Sequence, residues 1–255
     1  MSRWIFLRGL TRESRHWGNF PAIFRQAIPD AEVYAPDLPG NGVRYGEASP
    51  ARVELMVESF RHQLAELGVA PPFHLLAMSL GAMVAVAWAG RYPAEISGGV
   101  LINTSLRPFS PFYRRLRPAA ARRLLQRLLL GGTAEAWETT IRQLTTRHPA
   151  SPETLLADWV ACRREHPVAP GNALRQLLAA ARYRAPLLRP AVPLLVLGAG
   201  CDQLVDVACS RRLAEVWQIP YAEHPTAGHD LPLDDGAWVA HLVGEWLATT
   251  AGGSA

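Results

Sequence analysis

The chain contains no lysine: all 26 of its basic residues are arginine. The bias runs through the whole length, so it reads as genomic composition rather than as a binding feature. Cysteine is scarce. Cys162, Cys201 and Cys209 are an odd number without metal-ligand spacing, which argues against a disulfide-stapled scaffold or a Cys-built metal site and fits reduced thiols in a cytoplasmic protein. No apolar run approaches the ~20 residues that a bilayer span needs. The first nine residues read as a strand, without the basic start, long apolar segment and small-residue cleavage site of a secretory signal. No internal repeat or low-complexity segment is present.

Hydrophobic residues, in contrast, make up 49% of the 255, enough for a sizeable core. That length suits one large α/β domain or a core with an insertion. Net charge is +4, but its distribution is uneven. Residues 106–190 carry 15 Arg against 5 Asp and Glu, a balance of +10; the remainder carries 11 against 17, a balance of −6. A local excess of this kind suggests an anionic partner or substrate, beside the ordinary reading of a solvated helical face. It lacks a nucleic-acid motif or an interleaved aromatic platform, so no nucleic-acid binding is expected.

Along the chain, Trp4–Leu7, Glu32–Ala35, Phe73–Ala77 and Gly99–Asn103 read as strands, and helical patterns lie over His16–Ala27, 51–67 and Ser79–Tyr92. Strands alternating with helices predict a parallel sheet covered on both faces and joined by right-handed crossovers. From residue 106 to 190 the rhythm breaks. Arg114–Leu130, Ala134–Thr146, Pro152–Arg164 and Ala173–Tyr183 all read as helices. Strand patterning resumes at Leu194–Gly198 and Tyr221–Glu223, with helices at Cys209–Trp217 and Trp238–Thr249 and a frayed tail from Ala251 to Ala255. The expected organisation is a core of 1–105 and 191–255 and a helical cap of 106–190.

One turn stands out. Ala77-Met78-Ser79-Leu80-Gly81 joins a buried strand to a buried helix with small residues two places either side of the serine. That is the pattern of a nucleophile elbow, in which a strained turn exposes the serine and tolerates only small neighbours. An ordinary turn with Ser79 as helix cap is the competing reading. In α/β sheets, functional groups gather at the carboxyl ends of strands. Taking those ends in order yields Arg8-Gly9-Leu10, Ser79, then Gly198-Ala199-Gly200-Cys201-Asp202, then Gly228-His229. A serine hydroxyl needs an imidazole to take its proton, and the imidazole needs a carboxylate to hold its tautomer. The developing oxyanion needs backbone donors, for which the Leu10 and Leu80 N–H groups are the candidates. His224 competes with His229 and Asp206 with Asp202. Met78, His16 and Trp17 are candidates to line the pocket, with core or surface packing the competing and favoured reading for His16 and Trp17, and no metal site is expected.

Taken together, Arg8-Gly9-Leu10, Asp37-Leu38-Pro39-Gly40-Asn41-Gly42, the elbow, the acid loop 198–202 and Gly228-His229 resemble the α/β-hydrolase superfamily, specifically small cap-containing serine carboxylesterases such as the pimeloyl-acyl-carrier-protein methyl ester esterases. The resemblance covers nearly the whole chain. It implies an α/β-hydrolase fold with about six mostly parallel strands. It implies Ser79 as nucleophile, Asp202 as acid and His229 as base, acting on an ester, thioester or lactone without a cofactor. It extends to a substrate presented on an acidic acyl carrier protein. Related lyases acting on carboxylated metabolites are an alternative, and a non-catalytic binding module a more distant one. Two positions depart from the family: Ala77 replaces a glycine, and Arg8 replaces the usual histidine and is a candidate contact for an anionic substrate group.

Overall fold

The computed structural model describes residues 1–149 and 152–252. Six strands form one sheet: β1 (Ser2–Leu7), β2 (Ala31–Tyr34), β3 (Phe73–Met78), β4 (Ile96–Ile102), β5 (Leu194–Ala199) and β6 (Tyr221–His224). The order is β2-β1-β3-β4-β5-β6, and every pairing is parallel. The central strands β1, β3, β4 and β5 are largely apolar on both faces because both faces are covered. Along β1, Ile5 and Leu7 enter one layer while Trp4 and Phe6 enter the other; Leu75 and Ala77 oppose Leu76 and Met78 along β3 in the same way.

The first layer is completed by α2 (Val53–Glu66), α3 (Leu80–Arg91) and α9 (Ala208–Trp217), the second by α1 (Phe20–Ala27) and α11 (Gly236–Gly252). Helix α3 is apolar nearly all round, as a helix beneath the centre of a sheet must be. The second layer holds a cluster of Trp4, Phe6, Trp17, Phe20 and Phe24, all at most 1% exposed. Each such side chain contributes about 2–3 kcal/mol through burial.

Between β4 and β5 lie α4 (Phe112–Arg115), α5 (Pro118–Leu130), α6 (Ala134–Thr145), α7 (Pro152–Glu165) and α8 (Pro170–Arg182). The two ends of this insertion are stitched together where Arg107 bridges Arg184 and the Ala185 N–H donates to the Arg107 carbonyl at 2.7 Å. Helix α6 packs on α7, and Ile141, Leu155 and Trp159 join Leu233 in a small cluster of their own. No helix among the described residues is long and apolar enough to cross a membrane.

Several element boundaries differ from the sequence pattern. Strand β4 starts at Ile96, before Gly98-Gly99, because those glycines admit neighbours: a Cβ on Gly98 would come within 2.8 Å of the Trp246 ring. The helix expected from Arg114 is split into α4 and α5, since Pro118 keeps Arg117 out of the helical region. A short α10 (Leu231–Asp234) follows His229 where no helix was expected. Helix α11 continues to Gly252, and residues 253–255 of the expected frayed tail lie outside the described residues.

Candidate active site

Ser79 joins β3 to α3 with φ 55° and ψ −116°, a conformation that side chains other than glycine rarely adopt. Its hydroxyl caps no helix N–H. The turn is tight enough to dictate its neighbours. A Cβ on Gly81 would lie 2.2 Å from the Leu7 carbonyl oxygen and 2.8 Å from that of Arg8; a Cβ on Gly9 would lie 3.2 Å from the Ser79 Cβ. The end of β1 is thus closed against the elbow, and Gly9 and Gly81 are the residues that allow it. Leu10 follows Gly9, and Leu80 begins α3. Neither main-chain N–H donates to another described residue.

The imidazole of His229 pairs with the carboxylate of Asp202 through Nδ1 and Oδ2 at 2.7 Å, and both side chains are at most 5% exposed. The other oxygen, Oδ1, accepts the N–H groups of Leu204 (2.7 Å) and Val205 (2.9 Å). One carboxylate therefore orients the ring and shapes its own loop. Asn103 connects this pair to the elbow. The Ser79 N–H donates to Ile102 O at the end of β4. Asn103, the next residue, donates from Nδ2 to His229 O (2.8 Å) and accepts the Ala199 N–H at Oδ1 (2.8 Å). The ends of β3, β4 and β5 and the histidine loop are thereby tied through two adjacent residues, Ile102 and Asn103.

The competing residues have other duties. His224 faces Asp235 at 3.2 Å and accepts the Ala227 N–H, while Asp206 accepts the Ala208 N–H at the start of α9. The candidates for lining a pocket are buried supports, which for His16 and Trp17 is the competing packing reading. Both terminal nitrogens of Arg8 reach Asp230, at 3.0 and 2.6 Å, and its guanidinium lies 4.6 Å from the Trp17 ring centre. Its charge is committed to the residue after His229, not offered to a substrate anion, because a buried guanidinium must be neutralised where it sits. Met78 contacts it through sulfur and is only 2% exposed. Trp17 belongs to the aromatic core, and His16 is 4% exposed. Burial, and then the charge of Arg12, hold the His16 imidazole well below its ordinary range, so the ring is neutral.

What sequence reasoning missed is the grip of the insertion on every loop of the site. Gln176 of α8 is fully buried; its Oε1 accepts the Thr11 N–H (2.8 Å), and its Nε2 donates to Asn41 Oδ1 (2.8 Å) and Ser49 Oγ (2.9 Å). Asn172, one turn earlier, accepts the Ser49 N–H and donates to Glu47 O. The carbonyl of Thr145, at the end of α6, accepts the Asp230 N–H at 2.7 Å, and a Cβ on Gly228 would come equally close to it. The Arg117 N–H donates to Leu204 O, and the Asp206 N–H to Arg114 O, beside the Asp202 loop. Arg12 completes the seam: it meets Glu138 of α6 at 2.7 Å, stacks over Trp159 at 4.2 Å, and shares Glu138 with Arg163 of α7.

Glu13, His16 and Cys162 bring ligand atoms within 4.8 Å of one another, a spacing that could hold a metal ion. Their donors are already engaged. The Glu13 carboxylate meets Arg15 and His166, the Glu13 N–H occupies His16 Nδ1, and burial pushes the Cys162 thiol up to about 11. With Arg12 and Arg15 adjacent, a cation would meet like charge, and the cluster reads as part of the seam.

A family model described as the alpha/beta hydrolase family matches residues 4–242. The chain belongs to the α/β-hydrolase family. No curated protein matches it in sequence. Among solved structures, an enol-lactonase from Burkholderia xenovorans LB400 aligns with a TM-score of 0.77 at 19% identity, covering 97% of this chain and 92% of its own. A thermophilic esterase from Thermogutta terrifontis aligns at 0.74 and 21%, covering 98% and 90%. The 2-hydroxy-6-oxo-6-phenylhexa-2,4-dienoate hydrolase of Rhodococcus sp. strain RHA1 aligns at 0.75 and 18%, covering 97% and 90%. At these identities the likeness is one of fold. This chain therefore shares its fold with enzymes of differing named substrates, and the fold alone does not choose among them.

Proposed function

We propose that this α/β hydrolase is a serine esterase working through an acyl-enzyme, with Ser79 as nucleophile, His229 as base and Asp202 as its orienting acid. The observation that carries the reading is the buried 2.7 Å His229–Asp202 pair, from the loops after β6 and β5, at the carboxyl edge of the sheet where β3 ends in a serine held at positive φ. With the Nδ1 proton committed to Asp202, Nε2 is the nitrogen that takes the Ser79 proton as Oγ attacks the ester carbonyl. The carbonyl oxygen gains the negative charge and is met by the Leu10 and Leu80 N–H groups, each such donor being worth roughly 3–4 kcal/mol of barrier. His229 then returns the proton to the departing alcohol. Water, deprotonated by the same imidazole, releases the acid and restores Ser79.

The named substrates of the fold relatives, an ester and an enol-lactone, suit this chemistry. A lyase acting on a carboxylated metabolite finds less support, because the cation it would use, Arg8, is paired with Asp230. The test is covalent labelling. A fluorophosphonate should modify Ser79, and Ser79→Ala should abolish both the adduct and the hydrolysis of p-nitrophenyl esters. Asp202→Asn should lower kcat by roughly 10⁴-fold, while Asp206→Asn should not. An unmodified Ser79 in a folded protein would favour a binding module. A panel of esters of increasing acyl length then reads the substrate class.

A further inference from the structure

We propose that the α4–α5 face of the insertion docks on the anionic surface of a lipid bilayer. Residues 96–134 contain seven arginines and no aspartate or glutamate. None of the seven forms an ion pair among the described residues; the fixed pairs lie elsewhere in the molecule. Arg107, Arg115, Arg117 and Arg127 reach only carbonyl oxygens, and Arg123 reaches Gln143, so their charge is uncompensated. Arg114 and Arg122 are exposed.

The helix that follows is turned inside out. At 100° per residue, Leu125, Leu128 and Leu129 form one stripe, and Arg123 and Arg127 lie on the opposite side. The stripe faces solvent: these leucines are 54%, 61% and 77% exposed, while Arg123 and Arg127 are half-buried, with Arg123 bonded to α6. Of the thirteen residues in α5, Ala120 alone is buried. In α4, Phe112 and Tyr113 are also exposed, at 82% and 49%, edge to face with each other. An exposed leucine stripe of this kind on a monomer marks something that covers it.

The charge decides what that is. A second copy would set seven arginines against seven more, which repel. A free anion would leave the leucines uncovered. Exposed leucines bordered by the exposed Arg122, on a helix about 20 Å long, suit a helix that lies in the headgroup layer, apolar stripe inward and the exposed guanidinium groups on the phosphates. Acidic lipid headgroups supply the missing negative charge and the acyl region covers the leucines.

The test does not use catalysis, so it stands or falls separately from the esterase reading. The full chain is co-sedimented with large unilamellar vesicles of phosphatidylcholine alone or mixed equally with phosphatidylglycerol, at low and high salt. Anionic vesicles should bind at least about tenfold more tightly, and salt should weaken them. The double variant Leu125→Gln/Leu129→Gln should lose roughly tenfold or more with its melting temperature unchanged. The variant Arg114→Gln/Arg122→Gln should lose the preference for the anionic lipid. Equal binding to both vesicles, or none, overturns the proposal. So does binding to soluble polyglutamate that competes with vesicles and survives loss of the leucines, which would assign the face to an acidic protein instead.

Discussion

Helix α8 buries Asn172 and Gln176 with every polar atom partnered by a core loop, whereas α5, earlier in the same insertion, buries one alanine and faces solvent with its leucines. Polar residues point in along one helix and apolar residues point out along the other. A fully satisfied buried amide fixes a single geometry. Helix α8 is therefore the fixed end of the insertion, set against the loop that carries the Leu10 N–H. A helix with so little buried surface belongs instead to the low-stability end of the molecule, where opening costs least. The insertion is thus no rigid lid: its attachment is to the chemistry and its freedom is at the far face.

Gln176→Leu should break the comparison most severely. It leaves the Thr11 N–H without its acceptor and takes the donor from Asn41 Oδ1 and Ser49 Oγ in a buried seam; each buried polar atom left unsatisfied costs about 1–3 kcal/mol, so a loss of about 4 kcal/mol is expected in denaturant unfolding. The same change frees the segment beside Leu10. In protein that remains folded, kcat should fall by about 10²-fold or more with KM little altered, as expected for a misplaced oxyanion donor. A variant that loses stability but keeps kcat would make α8 a structural anchor only.

Glu138→Gln tests the second point of attachment and should cost about 3 kcal/mol. It leaves the buried Arg12 guanidinium without its counter-charge, and removing one partner of a buried pair is costly even where the intact pair contributes little. Arg12 is already pushed below its usual range by burial, with Glu138 opposing the shift. An unfolding free energy unchanged within error would mean that the seam is wet and the pair dispensable.

His16 supplies a pH readout of the same seam. Its folded value is depressed by burial and by Arg12, so the unfolded chain takes up its proton first as pH falls below about 6.5. Stability from this group is present above that pH and declines below it, by up to about 1.4 kcal/mol per pH unit. The difference in unfolding free energy between wild type and His16→Gln should therefore shrink from pH 7 to pH 5. A constant difference would show that His16 titrates normally and is open to water.

The elbow and the strand-end residues were legible because sterics leaves single-letter traces. Ser79 at positive φ demands a small residue at 81, and Gly9 must clear the serine. The histidine and aspartate follow turns that end strands. The seam was not legible. Asn172 and Gln176, four apart on an amphipathic helix, pattern as a solvent face; only tertiary structure turns that face inward. Asn103 read simply as the end of a strand, although it ties three loops. Arg8 looked free because its partner lies 222 residues away, a distance over which charge patterning carries no information. The outward leucines of α5 were hidden by the opposite error, since a leucine stripe reads as core.

That error yields the mildest prediction. Leu125→Gln removes an apolar side chain that water already touches, so unfolding free energy should shift by no more than about 0.5 kcal/mol. A buried leucine would cost about 2–5 kcal/mol on truncation. Measured without lipid, the small value says that α5 takes nothing from its leucines while the protein is alone in water. A loss near the buried value would mean that α5 folds back on the core in solution, which would remove both the contrast with α8 and the exposed face proposed to meet lipid.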